Sequence, residues 1–126
     1  MKTILIVDDE PHMRRLIEHN VVKAGFRCVA ATDGARALAA MKAEKVDLVV
    51  LDMLMPVLDG LGVLREMRVS DELRGVPVIM LTGQGQAGPQ QEAKALGASE
   101  LLTKPFSPTE LIGHIRRLTG EGVEAS

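Results

Sequence analysis

Leu48-Val49-Val50-Leu51-Asp52-Met53-Leu54-Met55-Pro56 (residues 48–56) is a short apolar run that ends abruptly on a carboxylate. Three other runs end on functional groups in the same way: Ile4-Leu5-Ile6-Val7 before Asp8-Asp9, Val78-Ile79-Met80-Leu81 before Thr82, and Leu101-Leu102 shortly before Lys104. Segments of helical period separate these β-rich runs. That alternation predicts an α/β domain of successive βαβ units, with a parallel sheet covered by helices on both faces. In a parallel sheet the carboxyl ends of the strands share one edge, and the three carboxylates, the hydroxyl and the ammonium converge there.

The remaining elements follow from punctuation. The first helix starts near Glu10-Pro11, places Met13, Leu16, Ile17, Val21 and Ala24 on one face, turns Arg14, Arg15, Glu18 and Lys23 to water, and stops at Gly25. A strand from about Arg27 to Ala31 leads through Thr32-Asp33-Gly34 into an Ala-rich helix from about Ala35 to Ala43. The third strand runs from Val46 to Leu51. Asp59, as N-cap, opens a third helix carrying Leu61, Leu64 and Met67, and Gly75 with Pro77 marks the turn into the fourth strand.

Between Gly83 and Gly97 the pattern weakens, with Gly85, Gly88, Pro89 and four glutamines against Ala93, Ala95 and Leu96 as the apolar anchors. A helix there buries little and is poorly nucleated. The final helix is the best marked, because Ser107-Pro108-Thr109-Glu110 is a capping box with proline at the first helical position, followed by the stripe Leu111, Ile112, Ile115 and Leu118. Five strands and five helices occupy one domain over residues 1–119, and residues 120–126 read as a flexible tail or the start of a linker.

Composition narrows the function classes. The 126 residues are 46% hydrophobic and 25% charged, with apolar runs far too short for a membrane span. The four apolar residues before Asp8 are too few for a signal peptide, and a lone Cys28 fits a reducing compartment, so a cytoplasmic setting is expected. A net charge of −2 gives no basic footprint, and two Phe without Trp or Tyr give no base-stacking platform, so direct nucleic-acid binding is not expected.

Three aspartates within a few ångströms raise one another's pKa, and a divalent cation resolves the conflict. Oxygen ligands without His or Cys favour Mg²⁺, with Mn²⁺ as a substitute, and His12, His19 and His114 fall on helices at wide separation. A phosphoryl group added to Asp52 needs donors, and Lys104 as a point charge and Thr82 as a hydroxyl suit that task. Positioning and charge neutralisation account for most catalysis of phosphoryl transfer. Met53 and Met55 flank the nucleophile and read as packing, at least in part.

Four motifs in order resemble the receiver domain of two-component response regulators: Val7-Asp8-Asp9-Glu10, Leu51 through Gly60, Leu81-Thr82-Gly83, and Gly97-Ala98 with Lys104-Pro105-Phe106. The resemblance covers about Thr3 to Leu118 and implies a flavodoxin-like, doubly wound five-stranded sheet of order 2-1-3-4-5. It further implies that Asp52 is the phosphoacceptor and that Asp8, Asp9, Asp52 and the Leu54 backbone carbonyl hold the metal. Thr82 corresponds to the switch hydroxyl, Lys104 to the phosphate contact, and the Lys104-Pro105 bond to a cis peptide.

Such a protein is a stoichiometric phosphoacceptor that catalyses its own phosphorylation and dephosphorylation. Its partners are a histidine kinase or a histidine phosphotransfer protein on one side and a downstream protein target on the other. The chain reads as a stand-alone chemotaxis-regulator-like protein or as a receiver module of a longer response regulator or hybrid kinase.

This sequence also departs from the family's pattern. Leu101 stands where a switch aromatic is common, Gly83 where Ala is common, and Leu54 and Gln84 occupy positions that govern access of water to the acyl phosphate. The competing class is a metal-dependent phosphohydrolase of the haloacid dehalogenase type. That class needs a second Asp two residues after the nucleophile, where this chain has Leu54.

Overall fold

In the computed structural model, which describes residues 1–55, 58–83, 85 and 87–120, the three most apolar runs form the buried centre of one sheet. Pro56, Val57, Gln84 and the expected tail beyond Gly120 lie outside the described residues. The elements alternate as β1 (Thr3–Val7), α1 (Pro11–Lys23), β2 (Arg27–Ala31), α2 (Gly34–Ala43), β3 (Leu48–Asp52), α3 (Gly60–Arg68), β4 (Val78–Thr82), α4 (Ala87–Ala95), β5 (Glu100–Thr103) and α5 (Pro108–Thr119). All neighbouring strands pair in parallel, in the order β2-β1-β3-β4-β5. This is the expected doubly wound sheet.

Two-residue periodicity sorts the central strands onto two cores. Leu5, Val7, Val49, Leu51, Val78 and Met80 face α2, α3 and α4, whereas Ile4, Ile6, Leu48, Val50, Ile79 and Leu81 face α1 and α5. Because β1, β3 and β4 are buried on both faces, their continuous apolar runs suit parallel strands and leave the half-exposed β2 and β5 as edges.

Local chemistry sets most boundaries. Glu10 caps α1 by accepting from His12 N and Met13 N, Pro11 occupies the first helical position, and Gly25 follows the helix at φ 98°. Asp33, Asp59 and Ser107 cap α2, α3 and α5 in the same manner. The third strand starts at Leu48 and not at Val46: the Asp47 amide still donates to the Thr3 carbonyl at 2.9 Å, but the Thr3 amide goes to the Asp47 side-chain Oδ2 at 2.8 Å. It also runs one residue further, so that Asp52 itself is its last residue.

Two positions on α1 differ from expectation. Leu16 is 46% exposed, while Ile17 and Val21 are buried. At about 100° per residue, Leu16 lies roughly 90° from the mean direction of Met13, Ile17, Val21 and Ala24, beyond the buried stripe. Arg14 does not simply face water, since its Nη1 donates to the Asp8 carbonyl at 3.1 Å.

The helices are anchored unequally. Full burial of a Val, Leu or Ile side chain contributes about 1.5–3 kcal/mol, and α5 contributes Leu111 and Ile115 to its core, whereas α4 buries only Ala93. Polar ties make up part of the difference. Arg65 on α3 forms an ion pair with Glu92 on α4. Arg68 donates from Nε to the Leu96 carbonyl at 2.8 Å, from Nη2 to Gly97 at 2.9 Å and from Nη1 to Arg74 at 2.8 Å.

The start of α3 is pressed against the end of β3. Gly60 N donates to the Met53 carbonyl at 2.9 Å, and a Cβ added at Gly60 would sit 2.4 Å from the Asp52 carbonyl oxygen and 2.8 Å from Met53 Cα. Both neighbours are backbone, so neither can swing aside. Gly60→Ala is therefore expected to destabilise the fold by about 1–3 kcal/mol, seen as a lower urea midpoint at unchanged m-value.

Candidate functional site

β1 lies between β2 and β3, so the chain leaves it in opposite directions, and the crevice at the carboxyl ends of β1 and β3 is the switch point of the sheet. The register Val7↔Leu51 puts Asp8, just beyond β1, beside Asp52 at the end of β3. Asp9 follows on the exposed rim. Ligand oxygens of Asp8, Asp9 and Asp52 all lie within 4.8 Å of one another.

Burial separates the three carboxylates. Asp8 is 0% and Asp52 6% exposed, while Asp9 is open to solvent. Asp8 Oδ1 accepts from the Glu10 amide at 2.9 Å, but Asp8 Oδ2 is buried with no hydrogen-bond partner. An ionised oxygen left so is costly. Oxygen donors alone, one of them orphaned, fit a hard divalent cation that keeps open positions for other oxygens.

Lys104 supplies the positive charge. It follows β5, which the Thr82↔Thr103 register holds against β4, and its amide donates to the Thr82 carbonyl at 2.7 Å. Its Nζ donates to Asp52 Oδ1 at 3.2 Å, and the Leu54 amide approaches the same oxygen at 3.4 Å. The Lys104–Pro105 peptide is cis. Leu54 itself is 61% exposed, and Met53 turns into the core at 1%.

Thr82 ends β4, 1% exposed. Its Oγ1 accepts a hydrogen bond at 3.0 Å from Nε2 of Gln90 on α4. Leu101 pairs with Met80 in the sheet and packs against the core beneath α2, α3 and α4. Asp59 lies outside the acidic cluster and caps α3, its Oδ1 accepting from Gly62 N at 2.9 Å. Among the described residues no histidine joins a metal-ligating group.

Sequence reasoning had not singled out Gln90, one of several glutamines in a weakly patterned stretch. Its spacing of eight residues from Thr82, spanning the turn before α4, was the available signal. Arg14 was likewise read as solvent-facing, although its spacing of six residues from Asp8 lets it return to the strand end.

A family model described as the response regulator receiver domain matches residues 4–116. Among curated relatives, the probable transcriptional regulator ycf27 of Cyanophora paradoxa is 44% identical over 117 residues, 93% of this chain and 48% of that protein. The phosphate regulon transcriptional regulatory protein PhoB of Pseudomonas aeruginosa is 36% identical over 124 residues, 96% of this chain and 54% of its own length. The chain thus spans about half the length of the curated relatives it matches.

Among solved structures, the receiver domain of a sensor histidine kinase from Pseudomonas aeruginosa PAO1 has a magnesium ion coordinated in its active-site cleft. It superposes with a TM-score of 0.87 at 32% identity, covering 94% of this chain and 98% of that one. The chemotaxis protein CheY4 of Vibrio cholerae gives 0.87 at 33%, with coverage of 94% and 98%.

Burial pushes the Asp8 carboxyl up from 3.8 to about 6. The Glu10 amide and the Lys104 ammonium oppose the rise, and the Asp52 charge adds to it. The folded chain then binds more protons than the unfolded one between 3.8 and about 6, so stability falls as pH rises through that window and stays reduced above it. In chelator, Asp8→Asn is expected to be more stable than the native chain by about 1–3 kcal/mol at pH 8 and to lose that advantage below the window. Urea titrations at several pH values check this, and adding a divalent cation should stabilise the native chain and not the variant.

Proposed function

The chain belongs to the family of response regulator receiver domains, and on that premise we propose that it takes a phosphoryl group from a phosphohistidine onto Asp52 and thereby changes which protein it binds. The carrying observation is that Asp52 belongs both to a carboxylate cluster and, through Oδ1, to an ion pair with Lys104. The donor is a histidine kinase or a histidine phosphotransfer protein. We assign the receiver to residues 1–119 and its setting to the cytoplasm.

In the transfer, an oxygen of the Asp52 carboxylate bonds to phosphorus while the phosphorus–nitrogen bond breaks. The electron pair returns to the donor imidazole, which takes up a proton, so this chain needs no general base. Mg²⁺, held by Asp8, Asp9, Asp52 and the Leu54 carbonyl, would supply charge neutralisation on the phosphoryl oxygens, and Mn²⁺ would serve in its place. Lys104 turns from Asp52 Oδ1 to a phosphoryl oxygen, and the Thr82 hydroxyl donates to another. The exposed Leu54 side chain stands beside the acyl phosphate, where it affects how water approaches.

A second reading, in which this receiver is one module of a longer response regulator or hybrid kinase, is favoured by specific observations. The curated relatives are about twice as long. Receivers of histidine kinases also superpose closely, one with a TM-score of 0.89. Several relatives are named as transcriptional regulators. We assign the contacts of this acidic module, of net charge −2, to proteins and not to nucleic acid.

Incubation with acetyl phosphate and Mg²⁺ followed by intact-mass measurement tests the assignment. One stoichiometric phosphoryl adduct is expected, absent in Asp52→Asn and suppressed by chelator, with Lys104→Ala slowing its formation by about 10²-fold. Steady release of phosphate from varied esters, without an adduct, would instead identify a phosphohydrolase.

A further inference from the structure

We infer that Gln90 is a positioning residue for Thr82 and the link through which an occupied Asp52 is felt at α4, a reading that rests on the phosphoacceptor role proposed above. A hydroxyl has one proton and two lone pairs. The Gln90 amide donates to Thr82 Oγ1 at 3.0 Å, which occupies one lone pair and leaves the proton to be given elsewhere. Thr82 can therefore hold Gln90 and donate to a phosphoryl oxygen at once, and each bond polarises the other. Movement of Thr82 toward Asp52 draws on Gln90 and, with it, on α4.

Two further features favour this route. α4 buries a single side chain, Ala93, so a pull on one of its polar ties acts on a lightly anchored helix. Leu101 offers no polar atom to replace the Gln90 bond. The cavity of about 380 Å³ between α4 and β5, lined by Gln90, Lys94, Leu101 and Thr103 among others, leaves the glutamine room to follow.

The direction of the hydrogen bond makes the inference testable. In Gln90→Glu the side chain keeps its length but only accepts, so the Thr82 proton turns toward it and away from the phosphoryl group. Gln90→Ala removes the bond altogether, and since Gln90 is half-buried both variants are expected to fold.

The experiment exposes the full chain and both variants to acetyl phosphate and Mg²⁺. Intact mass reports the adduct, hydrogen exchange reports residues 87–96, and the Gln90 side-chain amide is followed by NMR. The expected result is an adduct in all three proteins, with an amide shift in the native chain. The phosphorylation-dependent change in exchange over residues 87–96 should be present in the native chain and lost in both variants.

Retention of that change by Gln90→Ala overturns the inference. So does retention by Gln90→Glu, because a mere tether would survive that substitution. A native chain that forms the adduct with unaltered exchange over residues 87–96 also overturns it. A native chain that forms no adduct strikes down the phosphoacceptor reading itself, a failure that intact mass separates from the others.

Discussion

The structure depends on one constraint, the parallel pairing of β1 with β3. That pairing buries apolar side chains on both faces of the sheet, and its register sets Asp8 beside Asp52 at the carboxyl edge. Like charges are thereby brought together where solvent is scarce, a costly arrangement in the absence of a cation. Lys104 relieves part of the strain from the β5 side, and the buried Asp8 Oδ2 remains as the atom whose needs the protein does not meet. The chemistry proposed for the site uses this imbalance, since a metal and then a phosphoryl group complete it.

The same edge connects chemistry to a helix of unusual character. β4 delivers Thr82 to the site, and the next element, α4, returns a glutamine to it. α5, by contrast, is capped by Ser107 and holds Leu111 and Ile115 in its core. In the switch proposed for Asp52, one firm helix and one lightly held helix stand on the two sides of β5. The difference follows from composition, because Gly88, Pro89, Gln90 and Gln91 cannot supply the apolar stripe that Leu111 and Ile115 supply.

Much of this was legible before the structure, for reasons that differ by element. Apolar runs ending at Val7, Leu51 and Leu81 located strands because burial on both faces leaves no room for alternation. Asp59 and Ser107 announced helix starts because capping acts within a few residues. Leu16 misled, since apolar character says nothing about whether a residue reaches the buried arc of its helix. The strand order came from resemblance to a family and not from periodicity, which is blind to neighbours. The Thr82–Gln90 bond escaped notice because it depends on the path of the turn between β4 and α4.

Arg68 adds a mechanical consequence. Its guanidinium, which keeps its proton even though burial lowers its pKa, grips the Leu96 and Gly97 carbonyls at the far end of α4. Gln90, the fourth residue of α4, sits in the half away from that clamp. Under the pull inferred at Gln90, a rod clamped at one end pivots like a lever, with the arginine as fulcrum. On that inference the greatest travel would fall at Ala87 and the least at Ala95, and a partner reading it would have most to gain by gripping the helix near its first turn.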